Sequence, residues 1–296
     1  MNWDDMRIFL SVARMESLSA AARSLRLDPA TLGRRIQRLE GAMDMPLFAK
    51  SPQGYALTGA GERLLLHAER AEAAMQGAEE DLRGDTETLS GTIRIGAPDG
   101  CANYLLPQVT AKIVAENPDL VVQIVAQPRV FNLSRREADM AIGVSRPTAG
   151  RLLVQKISDY RLHLAASGDY LAAHGPLETR ADLKGHSVVG YIPDMIFDKE
   201  LDYLAQAGAS ESKLGANLAS VQLNWLRHGA GVGIVHDFAL AAAPELRRIM
   251  VDEISLTRTF WLVRHQDDRQ VDRLSKFADL LCDGLRREIA LREALA

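Results

Sequence analysis

Over the first eighty residues, apolar positions recur at helical spacing. From about residue 91 the pattern changes to short apolar runs alternating with helical stretches. Met6, Phe9, Leu10 and Ala13 predict a helix over 3–14. Ser19 is placed to cap a second helix, in which Ala20, Ala21 and Ala22 permit close packing. Asp28 followed by Pro29 predicts the start of a third helix, with Leu32, Ile36 and Leu39 facing a core and an end near Gly41. "PLFAKSPQGYALT" then reads as a β-hairpin, with Leu47-Phe48 and Tyr55-Ala56-Leu57 as strands and Pro52 to Gly54 as the turn. One long helix is expected from Gly59 to about Arg83. Along it Leu64, Ala68, Ala71, Met75, Ala78 and Leu82 alternate in steps of four and three, a heptad seam that predicts pairing with a second copy of the chain. "GDTETLSG", residues 84–91, has the composition of a hinge.

Beyond the hinge, "TIRIGA", "VVQIVAQ" and "DMAIGV" read as strands, with helices expected over 103–116 and 133–137. A second unit from about residue 162 to 265 carries strands at "HLAAS", "SVVGY", "KLGAN" and "VGIVH". "TRTFWLVRH" is the expected return strand and residues 270–291 a closing helix. This alternation predicts two α/β lobes on a mostly parallel sheet, with crossovers near residues 161 and 266. "GAGVG", Gly229 to Gly233, follows a helix and precedes a strand, the reverse of a dinucleotide loop, so it is expected to end the helix and permit close packing.

The chain has 296 residues, 47% of them apolar and 25% charged, which fits a globular protein of two or three domains. Its net charge of −4 does not exclude nucleic-acid binding, because binding depends on local clustering. Arg23, Arg26, Arg34, Arg35, Arg38 and Lys50 lie close together, whereas Glu79, Glu80, Asp81, Asp85 and Glu87 carry acidic charge elsewhere. The two cysteines form neither a metal-ligand spacing nor a disulfide framework, which favours a reducing cytoplasm. No apolar run is long enough to span a bilayer, and the start "MNWDD" lacks the positive charge and apolar run of a signal peptide.

Residues 17–40 combine two short helices with a tight connection. Thr31, Arg34 and Arg38 share the face of the second helix opposite its apolar stripe, with Arg35 at the edge. An Arg-rich face on the second helix of a helix-turn-helix suits the major groove, where arginine bonds guanine or holds phosphates; the alternative is a solvated amphipathic helix. A hairpin in the next position is a wing, placing Lys50, Ser51 and Gln53 over phosphates or the minor groove. From about Asp4 to Ala74 the sequence resembles the N-terminal domain of LysR-type transcriptional regulators: "MRIFLSVARMESLSAAARSL", "RRIQRLEGAMDMPLF" and "LTGAGERLL" occur in that order. The family often carries Ser-Gln-Pro where this chain has Asp28-Pro29-Ala30, and Ser where it has Gly33. The remainder, to about Arg273, resembles that family's effector domain more loosely. The resemblance implies two lobes like those of periplasmic binding proteins, a small molecule in the cleft between them, and a homotetramer built as a dimer of dimers.

Ligands of open α/β sheets lie beyond the carboxyl ends of strands. Asp99, Gly100, Cys101 and Asn103 occupy the first such end, either as an anion-holding loop or as a capped turn; the resemblance favours the ligand site. Arg129 follows the second strand and is placed either to pair a carboxylate or to face solvent. Tyr191, Ile192, Ser220 and His236 are the wall candidates of the second lobe. Cys101 reads either as a thiol activated by a helix start or, more commonly, as a small buried residue. There is no Gly-x-Ser-x-Gly elbow and no His-Glu-x-x-His.

The expected protein is therefore a multidomain α+β regulator of transcription, not an enzyme, with no cofactor and no metal. Residues 1–58 form a winged helix-turn-helix, 59–90 a linker and dimerisation helix with its hinge, and 91–296 an effector-binding domain. Lobe I comprises about 91–161 and 266–296, and lobe II about 162–265. Expected partners are double-stranded DNA carrying an interrupted inverted repeat, a small polar effector such as an organic acid, a second copy through the linker helix, and the transcription machinery, but no membrane. The rival reading is a solute-binding α/β protein with a helical dimerisation arm and no regulatory role.

Overall fold

The computed structural model describes residues 2–51, 54–82, 88–126, 138–148, 150–175, 177–208, 212–266, 268 and 271–296. The chain separates into two compact units that divide between residues 86 and 87.

The first unit contains α1 (Trp3–Met15), α2 (Leu18–Leu25), α3 (Pro29–Met43), the strands β1 (Phe48–Ser51) and β2 (Gly54–Leu57), and α4 (Gly59–Leu82). Each short helix starts on a side-chain cap, because the first backbone N–H groups of a helix have no internal partner. Asn2 Oδ1 accepts from Asp5 N at 2.9 Å, and Asp28 Oδ2 accepts from Thr31 N at 3.1 Å. Ser17, not Ser19, caps α2: its Oγ accepts from Ala20 N at 3.3 Å, while Ser19 already lies within the first turn. α3 runs past Gly41 and ends where Asp44 turns left-handed at φ 50°, because Met43 still packs against the core. That core is built on Phe9, Leu32, Ile36, Leu39 and Leu47. Leu47 sits just outside β1, its N–H bound to Glu40 Oε1 at 2.8 Å, and Phe48 packs 5.3 Å from Phe9.

The heptad seam divides. Ala68 is fully buried in the core of its own unit and Leu64 packs against the same core, so the first part of the seam is intramolecular. Arg14 pairs with Glu72 (Nη1–Oε1 3.3 Å), extending that attachment. Met75 lies beyond it and is exposed.

The second unit contains β3 (Gly91–Ala97), α5 (Asp99–Tyr104), α6 (Leu106–Glu116), β4 (Leu120–Ala126), β5 (Met140–Gly143), β6 (Leu152–Ser167), α7 (Gly168–His174), β7 (Val188–Gly190), α8 (Tyr203–Ala207), β8 (Leu214–Gly215), α9 (Ala219–Arg227), β9 (Val232–His236), α10 (Asp237–Leu240), β10 (Leu246–Ile249), β11 (Ser255–His265) and α11 (Asp272–Glu293). The helix expected at 103–116 begins at Asp99 and breaks at Leu105; a new helix starts at Leu106, with Pro107 in its first turn. The helix expected at 133–137 lies outside the described residues.

Both lobes share one sheet, in the order β4-β3-β5-β11-β6-β9-β7-β8, with β10 paired to β6. It is mixed rather than mostly parallel. The outer pairs β3–β4, β3–β5, β7–β8 and β7–β9 are parallel, but the long central strands β6 and β11 run antiparallel to each other. β11 pairs with β6 along its whole length and with β5 from Trp261 to Arg264. The pairing of β11 with β6 carries one register shift, between Phe260 and Trp261. None of the described helices is long and apolar enough to cross a membrane.

Gly229 (φ +69°) and Gly231 (φ +157°) turn the chain from α9 into β9. A Cβ on Gly231 would meet the Ser187 carbonyl oxygen at 2.1 Å. Gly231→Ala should therefore destabilise the second unit by about 2–3 kcal/mol or more, through a backbone clash that no rotamer relieves. Denaturant unfolding of the full chain checks this.

Candidate functional sites

The basic face of α3 is partly committed to its own unit. Asp5 on α1 is buried, and an uncompensated carboxylate there would be costly. Arg38 Nε donates to Asp5 Oδ2 at 2.9 Å, with a second contact from Nη2 to Oδ1. Arg35 Nη1 lies 3.6 Å from Asp4 and 3.8 Å from Asp5. Arg34 is exposed and only donates to Thr31 Oγ1 one turn back, at 3.3 Å. Among the described residues neither Arg34 nor the exposed Arg23 has an acidic partner. The exposed start of α3, Pro29 and Ala30, completes this face. In the hairpin Lys50 is opposite Tyr55 and Ser51 opposite Gly54. The side chains of Lys50 and Ser51, and Gln53 entirely, lie outside the described residues.

In the second unit the strand ends converge. α5 leaves β3 directly, which brings Asp99 to the start of α9. Asp99 Oδ2 accepts from Ser220 N at 2.7 Å, and its Oδ1 accepts from Ser220 Oγ at 3.2 Å and Asn103 Nδ2 at 2.7 Å. The carboxylate thus supplies the cap that Leu218 cannot provide. Gly100 lies against the His236 ring, with the position of a Cβ only 3.1 Å from Cε1. Cys101 points into the core and burial pushes its thiol up, the opposite of the shift that activates a cysteine. Its sensor reading has no support, and Cys282 is a separate free, buried thiol, pushed up to about 11 mainly by burial. Arg129 lies outside the described residues.

Tyr191 and Ile192 follow β7. Tyr191 borders a cavity of about 640 Å³, together with Phe197, Asp198, Tyr203 and Gln222. Behind it lies a void of about 10 Å³, about the size of one water, reached by Tyr104, Ala219 and His236. Asp198 accepts from Ser145 Oγ, a contact between the lobes, and its Oδ1 accepts from Glu200 N at 3.0 Å. Tyr203 and Gln222 were not among the residues expected from the sequence. An aromatic in a short helix and an amide on an amphipathic one carry no local mark of a cavity, and only the fold brings them to Tyr191. Among the described residues no group of three or more His, Cys, Asp or Glu is placed to hold a metal ion.

Two family models match the chain: "Bacterial regulatory helix-turn-helix protein, lysR family" over residues 3–62 and "LysR substrate binding domain" over residues 86–286. The regulator DgdR of Burkholderia cepacia is 36% identical over 150 residues, half of each chain. The transcriptional activator AaeR of Escherichia coli is 28% identical over 235 residues, 78% of this chain and 75% of that one. The structure of CrgA, a LysR-type regulator from Neisseria meningitidis, aligns with a TM-score of 0.59 at 24% identity, over 96% of this chain and 99% of that one.

Burial of His236 lowers its pKa from 6.5 to about 4. The unfolded chain takes up this proton near pH 6.5 and the folded chain only near pH 4, so acidification across that window favours unfolding. The contribution is fully present above pH 6.5, and about 3 kcal/mol is lost by pH 4. His236→Phe should flatten this part of the stability–pH curve, measured by denaturant unfolding at pH 4.5, 5.5 and 7.

Proposed function

The chain belongs to the LysR family of bacterial transcriptional regulators, and from that premise we propose how its residues divide the work. It is a DNA-binding regulator with a substrate-binding effector domain. The observation that carries the residue-level reading is the exposed Arg34 on the outer face of the capped helix α3, without an acidic partner among the described residues. Arg34 reads bases or holds phosphates in the major groove, with Thr31 beside it and Arg23 on the backbone. Arg35 and Arg38 contribute positive field to the same face while holding Asp5. Lys50, Ser51 and Gln53 form the wing.

Two chains pair through the part of α4 beyond its own core, around the exposed Met75, and pairs of dimers give a tetramer. Two such faces suit an interrupted inverted repeat. The effector is a small polar molecule seated where Asp99, Asn103 and Ser220 meet Tyr191 and His236. An organic acid would turn its carboxylate toward Arg129, since Asp99 already fills the start of α9. Occupancy shifts the lobes and hence the DNA-binding units. The protein acts in the cytoplasm, through the transcription machinery rather than by catalysis.

Arg34→Ala should weaken DNA binding without lowering the melting temperature, by about 1–3 kcal/mol at one base pair if the contact is to a base and across all sequences if it is to phosphate. Arg38→Ala should weaken binding and also lower the melting temperature, because Asp5 loses its bidentate partner. Gel-shift titrations at several salt concentrations, with thermal unfolding, separate the two; unchanged affinity in Arg34→Ala removes the assignment.

Met75→Glu should reduce the molar mass of the full chain in light scattering, since like charges would meet in the pairing seam. An unchanged mass places the interface elsewhere.

A further inference from the structure

The hairpin of β1 and β2 has two strands of four residues each. A hairpin of that size is marginal by itself in water, so its position is set by what it is anchored to. Phe48 packs against Phe9 of α1 at 5.3 Å and against Tyr55 of β2 at 5.7 Å. Tyr55 N donates to Glu16 O, just after α1, at 2.9 Å. At the start of α4, Thr58 N donates to Leu47 O at 3.0 Å and Thr58 Oγ1 donates to Pro46 O at 2.7 Å. Gly61 leaves room for the Leu47 carbonyl oxygen, which a Cβ there would strike.

The polar link to α3 is Glu40. Its Oε1 accepts from Leu47 N at 2.8 Å and from Phe48 N at 3.2 Å, and its carbonyl accepts from Met45 N at 3.2 Å as the chain leaves the helix. By ordinary helix rules this is a poor place for an acid. Glu40 lies in the last turn of α3, where the partial negative charge of the helix end disfavours a carboxylate, and that turn carries no basic residue. It also adds negative charge to a unit that approaches phosphates, which works against DNA affinity. What the placement gains is the pair of N–H groups. Leu47 and Phe48 are buried, and their backbone donors need a partner.

The connection through Glu40 is short. Arg34 precedes it by six residues, about 9 Å along the helix. Lys50 follows Phe48 by two residues, about 7 Å along the strand. We propose that Glu40 is the positioning residue of the wing: its carboxylate fixes the hairpin to α3, so that Lys50 and Arg34 meet the DNA in one register. Glu40 itself touches no DNA. This rests on the reading of the hairpin as a wing with Lys50 on a phosphate, and adds the residue that aims it.

The test uses the full chain and a fluorescent random-sequence duplex of about 40 base pairs, with affinity read by anisotropy over a series of salt concentrations. The steepness of log affinity against log salt counts phosphate contacts, and a loss of stability does not change it while the chain stays folded. Thermal melting sets a temperature at which each variant is folded. Lys50→Ala should lower the steepness by about 1 per bound chain. Glu40→Asp keeps the charge but draws it back by one methylene, away from Leu47 and Phe48. It should lower the steepness as much, although Lys50 is intact. The double variant Glu40→Asp/Lys50→Ala should fall no further, because both changes act through one contact. Glu40→Gln keeps an acceptor oxygen in place and should hold the wild-type steepness. If Lys50→Ala lowers the steepness and Glu40→Asp does not, the wing stands and the role of Glu40 is overturned. If Lys50→Ala changes nothing, the wing reading fails and takes this inference with it. Additive losses in the double variant, or a fall in Glu40→Gln as large as that in Glu40→Asp, also overturn it. So does a Glu40→Asp chain that does not fold, which would make Glu40 a folding residue.

Discussion

The antiparallel pair β6–β11 is the constraint on which the second unit depends. All eleven residues of β11 lie against β6 between Leu152 and His163, and each strand belongs to both lobes. The lobes are therefore not two bodies on a flexible tether. The two strands form a ribbon whose regular pairing is broken once, where Phe260 and Trp261 face Ser158 and Lys156. Tyr160 sits two residues past that irregularity and stacks on Phe260 at 4.1 Å. The irregular point of the sheet is thus braced by an aromatic stack. Polar contacts between the lobes include Asp99 to Ser220 and Ser145 to Asp198.

In the DNA-binding unit a different economy operates. One buried carboxylate, Asp5, engages two of the three arginines on the recognition helix. The pairing fixes the rotation of α3 against α1, so that Arg34 faces outward. Positive charge on that surface is thus partly structural, and counting arginines overstates how many are free for DNA.

Legibility followed the range of the interactions. The cap at Asp28, the apolar stripe of α3 and the turn at Gly229–Gly231 are local and could be read directly. The start of α5 was misplaced by four residues because Asp99 is held by a residue 121 positions away. The seam on α4 had the right period but an ambiguous destination, since Leu64 and Ala68 fit an intramolecular core as well as a partner helix. β6 was read as five residues because its first half is mostly half-exposed and lacks a continuous apolar run.

The burial of Ala68 has a mechanical consequence. With Leu64 packed on the core and Glu72 tied to Arg14 of α1, α4 from residue 59 to 72, about 20 Å of helix, is fixed to α1 and to the core that α1 shares with α3. It acts as a lever arm with no joint along its near half. A rotation of this segment turns the shared core with it, and Arg34 moves as part of the same body.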